Sequence, residues 1–238
     1  MHREYIKWWS PNLGREMEML VFGHAGTPVL VFPSSMGRFH EWEDFKMVEA
    51  CRYQLENGHN QFFCVDSVDG ESFYNRHADP YTRMMRHRQY DTYIRDEVIP
   101  FMRDRAVNGR VIATGASFGA YHALNVTLKY PGQFVKLIAM SGKYDIRNFM
   151  DGFYDDNVYF NNPVDYIPGL NDHDFLERIR SVDIRLVAGD ADICLQAGKH
   201  FSGILYNKGI PHQMDVWGHG VVHDWPEWRN MLQKHLPQ

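Results

Sequence analysis

The sequence predicts an α/β protein built on a mostly parallel central sheet with helices on both faces. Short apolar runs rich in β-branched residues alternate with longer stretches of helical period, which is the pattern of strands joined by crossover helices. The runs are apolar almost throughout, as strands covered on both faces require. No repeat or low-complexity linker interrupts the series, so a single domain spanning residues 1–238 is expected.

The expected strands are PVLVF (Pro28 to Phe32), QFFCV (Gln61 to Val65), RVIAT (Arg110 to Thr114) and FVKLIAM (Phe134 to Met140), then IRLVA from Ile184 and HQMDVW from His212. Between them, Phe118, Tyr121, Leu124 and Leu128 keep a helical period. Leu195, Phe201, Ile204 and Leu205 do the same before a stopping Gly209. Asp224 followed by Glu227 forms a capping box, with Pro226 tolerated in the first turn, so a last helix should begin just after His223. Residues 143–181 are rich in Asp, Asn and aromatics without a clear period, and are expected to form a short cap-like insertion or long loop.

Composition narrows the function. A net charge of −5, with no run of Lys or Arg, offers no footprint for a phosphate backbone, so no nucleic-acid partner is expected. The N-terminus MHREYIKWWSPNLG lacks the apolar stretch of a secretory signal, and no later run would span a bilayer. A cytoplasmic protein with no membrane partner is expected. Cys51, Cys64 and Cys194 have neither CxxC spacing nor scaffold density, and are read as buried thiols in a reducing compartment. A homo-oligomer is compatible with the sequence but not specified by it.

Gly115, Ala116, Ser117, Phe118 and Gly119 form a G-x-S-x-G motif. Its serine follows the strand RVIAT and opens the next helix, as the nucleophile elbow of an α/β-hydrolase fold demands. A sharp strand-to-helix turn crowds the backbone, so the positions two residues either side of the serine must lack side chains. At a helix N-terminus, free amides and the helix dipole favour negative charge on an attacked carbonyl oxygen, and Phe118 N–H is one expected oxyanion donor.

A serine needs a base to take its proton and a carboxylate to orient that base, in the chain order Ser, Asp or Glu, His. Of the histidines beyond the elbow, His219 and His223 follow the last expected strand. His223, directly before the final helix, is preferred, with His219 second. The spacing of the two also suits metal ligands on a helix, but Gly220 disfavours helix there and no HExxH glutamate lies between, so no metal is expected. His122 is read as a packed, hydrogen-bonded core histidine. In GDAD, Asp190 and Asp192 compete for the acid: Asp190 is placed for turn hydrogen bonds, and Asp192, further out, is preferred.

GASFGAYHAL around Ser117, GDAD ending at Asp192 and HDWPEW beginning at His223 together resemble the Putative esterase family of α/β-hydrolases, the group of esterase D, feruloyl esterase domains and the antigen 85 mycolyltransferases. The likeness covers nearly the whole chain. It implies nucleophile, acid and base at Ser117, Asp192 and His223, a small-molecule carboxylic ester as substrate, and no organic cofactor or metal. It also implies a second oxyanion amide in the loop PSSMGR, at Ser35 or, next, Met36. This loop departs from the HGGG type. ESFYNR (Glu71 to Arg76) is similar to a substrate-side segment of antigen 85 relatives, which makes Tyr74 a candidate for lining the substrate; Met36 and Arg38 of the PSSMGR loop are candidates beside it. Two rival readings are acyl transfer to an alcohol through the same acyl-enzyme, and a binding protein that keeps the scaffold without catalysis.

Overall fold

The computed structural model describes residues 1–105 and 109–237. One eight-stranded sheet has the order β1-β2-β4-β3-β5-β6-β7-β8, formed by β1 (Arg3–Ser10), β2 (Arg15–Phe22), β3 (Thr27–Phe32), β4 (Asn60–Val65), β5 (Val111–Ala116), β6 (Phe134–Met140), β7 (Asp183–Gly189) and β8 (Gln213–Trp217). β2 runs antiparallel to both its neighbours, and every other pair beyond β1–β2 is parallel. This is the α/β-hydrolase fold.

The six apolar runs became β3 to β8. The hairpin of β1 and β2 was not anticipated, because β1 lies at the sheet edge and alternates exposed with half-buried residues such as Glu4, Lys7 and Trp9.

Alternation along the strands divides the interior into two layers. Leu30, Phe32, Phe63, Ala113, Leu137 and Leu186 point into one cluster. Val29, Val31, Phe62, Ile112, Ile138 and Val187 point into the other. Helices α1 (Pro80–Tyr93), α2 (Phe118–Lys129), α3 (His173–Arg180) and α4 (Leu195–Asn207) contribute Tyr90, Leu124, Ile179 and Phe201 to the first layer. Helix α5 (Trp225–His235) and the short turns at residues 41–56 contribute Trp228, Met231, Trp42 and Met47 to the second.

Two helical regions escaped sequence reading. The buried face of α1 includes Arg83 and His87 beside Met84, Tyr90 and Tyr93, so polar groups interrupt its apolar stripe. The insertion at 143–181 is not an irregular loop: it holds short helices at Asp156–Tyr159 and Pro163–Gly169, and then α3. α3 begins where Asp172 Oδ1 accepts the Phe175 amide at 2.9 Å, and it buries Leu176 and Ile179 one turn apart. Ile146, Phe149, Met150 and Val158 of the insertion pack on Phe73, Phe118 and Tyr121, above the end of β5.

The crossover after β3 lies on one face and the crossover after β5 on the other, so the chain parts between these adjacent strands. Such switch points open a crevice at the carboxyl ends of the strands. The loop from Pro33 and the turn at Ser117 leave β3 and β5 at this place.

Candidate active site

Ser117 joins β5 to α2 with φ 55° and ψ −121°, a left-handed conformation costly to any residue with a side chain. The surroundings enforce it. A Cβ on Gly115 would lie 2.3 Å from the Gly119 carbonyl carbon, and one on Gly119 would lie 2.4 Å from the Pro33 oxygen. Both glycines are therefore required by close backbone approach. Gly119→Ala should push α2 away from β3 and destabilise the protein by about 1–3 kcal/mol or more, the usual cost of overpacking, read as a lower urea midpoint.

His223 Nε2 stands 3.0 Å from Ser117 Oγ, and His223 Nδ1 stands 2.9 Å from Asp192 Oδ1. Three residues chosen from separate motifs thus form one chain of hydrogen bonds. His219 is exposed, with φ 72°, and does not enter it. Asp224 caps α5 by accepting the Trp225 amide at 2.7 Å. Its own amide donates to Val222 O, not to Glu227 as the capping box would have it.

Asp190 has a longer reach than a local turn. Its Oδ1 accepts the amides of Gly220 at 2.9 Å and Val221 at 3.0 Å, which anchors the loop that carries His223. Gly189 lets this loop approach, since a Cβ there would meet Val221 O at 2.0 Å.

Asp192 is buried and fully engaged. Oδ1 also accepts the Cys194 amide at 2.7 Å, while Oδ2 accepts the Ser141 hydroxyl, which in turn accepts Trp228 Nε1–H at 2.8 Å. Burial works to raise the Asp192 pKa, but hydrogen bonds from His223, Ser141 and the Cys194 amide outweigh it and hold the carboxyl below its ordinary range. For His223, burial works to lower the pKa; the hydrogen bond and charge of Asp192, with Cys194 alongside, raise it to about 9.

Ser141 gave no sequence signal. It closes β6 at φ 54° and reaches Asp192 only because β6 and β7 are neighbours. Cys51 and Cys64 are buried, and burial raises the pKa of both thiols. Cys194 differs from the buried thiol expected. It is partly exposed, and its sulfur lies within 4.8 Å of ligand atoms on Asp192 and His223. These three could hold a soft cation, but it would compete for the His223–Asp192 hydrogen bond.

Phe118 is the first residue of α2, so its amide has no intrahelical acceptor. In the facing loop, Met36 N–H donates to Asp69 Oδ2 at 3.1 Å, whereas the Ser35 amide has no acceptor among the described residues. Tyr74 donates its hydroxyl to Ser35 Oγ at 2.8 Å and packs edge-on against Phe118. The Met36 side chain is exposed. The Arg38 guanidinium donates to Asp66 at 2.7 Å and to Glu18, contacts that tie the loop to β2 and to the end of β4.

No curated protein matches the chain in sequence. Among solved structures, the fold is similar to a ferulic acid esterase (18% identity, TM-score 0.79, covering 99% of this chain and 96% of the other). It is also similar to the fluorophosphonate-binding serine hydrolase FphF of Staphylococcus aureus (17%, 0.76, 99% and 96%) and to MPT51 of Mycobacterium tuberculosis (15%, 0.73, 98% and 96%). At these identities the likeness is one of fold. The family model described as "Putative esterase" matches residues 10–238, and the chain belongs to that esterase family.

Proposed function

We propose that the protein is a serine-dependent carboxylic ester hydrolase working through an acyl-enzyme. The observation that carries this reading is the unbroken run from Ser117 Oγ to His223 to Asp192, at 3.0 and 2.9 Å, beneath the Phe118 amide. With Asp192 ionised, His223 Nδ1–H donates to it, which leaves Nε2 of the neutral imidazole to accept the serine proton. Ser117 Oγ attacks the ester carbonyl, and the proton passes by way of Nε2 to the leaving alcohol. Water, deprotonated by the same Nε2, then releases the acid and restores the serine. Amides of Phe118 and Ser35 stabilise the oxyanion of both tetrahedral intermediates.

The experiment is a rapid-mixing time course with p-nitrophenyl acetate. A burst of nitrophenol equal to the enzyme concentration, followed by slower turnover, is expected from an acyl-enzyme whose hydrolysis limits the rate. If turnover is linear from the start, acylation limits the rate, and the acyl-enzyme is then tested by partitioning: with methanol added, phenyl acetate and p-nitrophenyl acetate should give the same ratio of methyl acetate to acetate, because both pass through one intermediate.

The pH profile has a definite sign. Because the neutral imidazole is the base and its pKa is raised to about 9, kcat/KM should climb as pH rises through that region and level off above it. A profile already flat from pH 7 upward would contradict this electrostatic picture of His223.

A further inference from the structure

We propose that Asp69 and His122, a buried pair outside the triad, brace the two halves of the oxyanion site against each other; this rests on the reading of Phe118 and Ser35 as the oxyanion donors. Four amides lie between Ser34 and Gly37. Ser34 donates its amide and its hydroxyl to the Glu41 carboxylate, each at 2.7 Å, and Gly37 N–H donates to Ser34 O at 2.9 Å. Met36, at φ 61°, turns its amide inward to Asp69 Oδ2 at 3.1 Å. Ser35 N–H is the amide left over. Its direction is thus set by how its two neighbours are held.

Asp69 is 1% exposed, and its other oxygen lies 3.0 Å from Nε2 of His122, which is 4% exposed. The histidine sits in α2, the helix that Phe118 opens. Its ring stacks on Phe32, the last residue before the loop, at 5.9 Å and 24°, and meets the Phe118 ring edge-on at 4.9 Å. The path from the Met36 amide through Asp69 to His122 therefore links the PSSMGR loop to the elbow helix. Tyr74 also joins the Ser35 hydroxyl to the Phe118 ring, but that link holds side chains, whereas the path through Asp69 holds the loop backbone at the Met36 amide.

A purely structural pairing accounts for this arrangement less well. Burying two ionisable groups costs more than an apolar pair of the same volume. The acceptor is needed here because a left-handed Met36 presents an inward N–H that would otherwise be orphaned. The brace fixes that residue, and with it the aim of Ser35. Asp69 and His122 are positioning residues and do not touch the substrate.

The two sites call for different chemistry from the carboxylate oxygen and the ring nitrogen, which makes a four-variant series decisive. Asp69→Ala and His122→Phe remove the brace and should lower kcat on a short nitrophenyl ester by about a hundredfold with KM little changed, since displacing a donor harms the transition state and not ground-state binding. His122→Gln keeps a donor near Nε2. Asp69→Asn keeps both bonds if the imidazole proton moves to Nδ1. Both should stay within about tenfold of the native kcat. Native-level kcat in folded Asp69→Ala or His122→Phe would overturn the proposal, as would Gln and Asn variants as impaired as Phe and Ala. Failure of both Asp69→Ala and His122→Phe to fold would also overturn it, by assigning the pair to the core. Ser117→Ala, assayed alongside, separates the two readings: activity that survives it defeats the proposed function, whereas its loss together with a native Asp69→Ala defeats the brace alone.

Discussion

Ser117→Ala should lower kcat on short nitrophenyl esters by at least about ten-thousandfold, the loss seen when a triad nucleophile is removed. The structure makes the substitution a clean one. Ser117 holds its φ of 55° because β5, α2 and the end of β3 enclose it, not because of a hydrogen bond from its own hydroxyl to the helix. Alanine relieves none of that crowding and adds none, so the Phe118 amide and the His223–Asp192 pair should stay in place. What disappears is the oxygen at 3.0 Å from His223 Nε2. Whatever rate remains would come from oriented binding and the oxyanion amides, and a Tm close to native would exclude unfolding as the cause.

The second large effect is expected at Asp192, and its two substitutions should differ. Asp192→Ala leaves His223 Nδ1, the Cys194 amide and Ser141 without their shared acceptor, and should reduce kcat by about ten-thousandfold. Asp192→Asn is gentler in geometry. Two donors, His223 Nδ1–H and Cys194 N–H, converge on the position of Oδ1, so the amide oxygen should turn there and its NH2 toward Ser141 Oγ. The imidazole then keeps its tautomer but loses the charge that supports its protonated form. Because that charge raises the His223 pKa against burial, the rising limb of the pH profile should move to lower pH in Asp192→Asn, even as the plateau falls. Kinetics of the two variants across pH 6–10 would separate orientation from charge, in the order that the triad account requires.

The sequence exposed some features of the site and hid others for physical reasons. Ser117 was legible because its two glycines are a local consequence of backbone crowding, written within five residues. Asp192 and His223 each have a close rival in the sequence, and the preference rests on turn chemistry, the helix start after His223 and the family resemblance; that Asp190 clamps the amides of residues 220 and 221, and not a local turn, is visible only in the fold. Ser141, Trp228, Asp69 and Glu41 were not legible. Ser141, Trp228 and Asp69 act across strands or layers, over 51 to 87 residues, on partners that only the folded sheet supplies, and Glu41 reaches back 7 residues within an irregular loop. His122 shows both sides of this. Its burial followed from its place on the apolar face of α2, but its partner lies 53 residues away and gave no signal.

The fold divides in the same way. Strands β3 to β8 carry enough apolar residues to announce themselves, whereas β1, at the edge, and α1, with Arg83 and His87 on its buried face, are stabilised by tertiary contacts that their own patterns do not encode. Arg83 donates to Phe149 O at 2.7 Å and pairs with Asp151, both in the insertion. Its burial thus has a reason that appears only once the insertion folds over α1.

The central claim is that the nucleophile is Ser117 Oγ, and mapping a covalent adduct tests it most directly. Native protein should react with a fluorophosphonate at one equivalent, and peptide mass spectrometry should place the adduct on Ser117 and on no other residue. His223→Ala should react much more slowly, and Ser117→Ala not at all. An adduct on another side chain, or native protein that hydrolyses esters yet stays unlabelled at Ser117, would contradict the account.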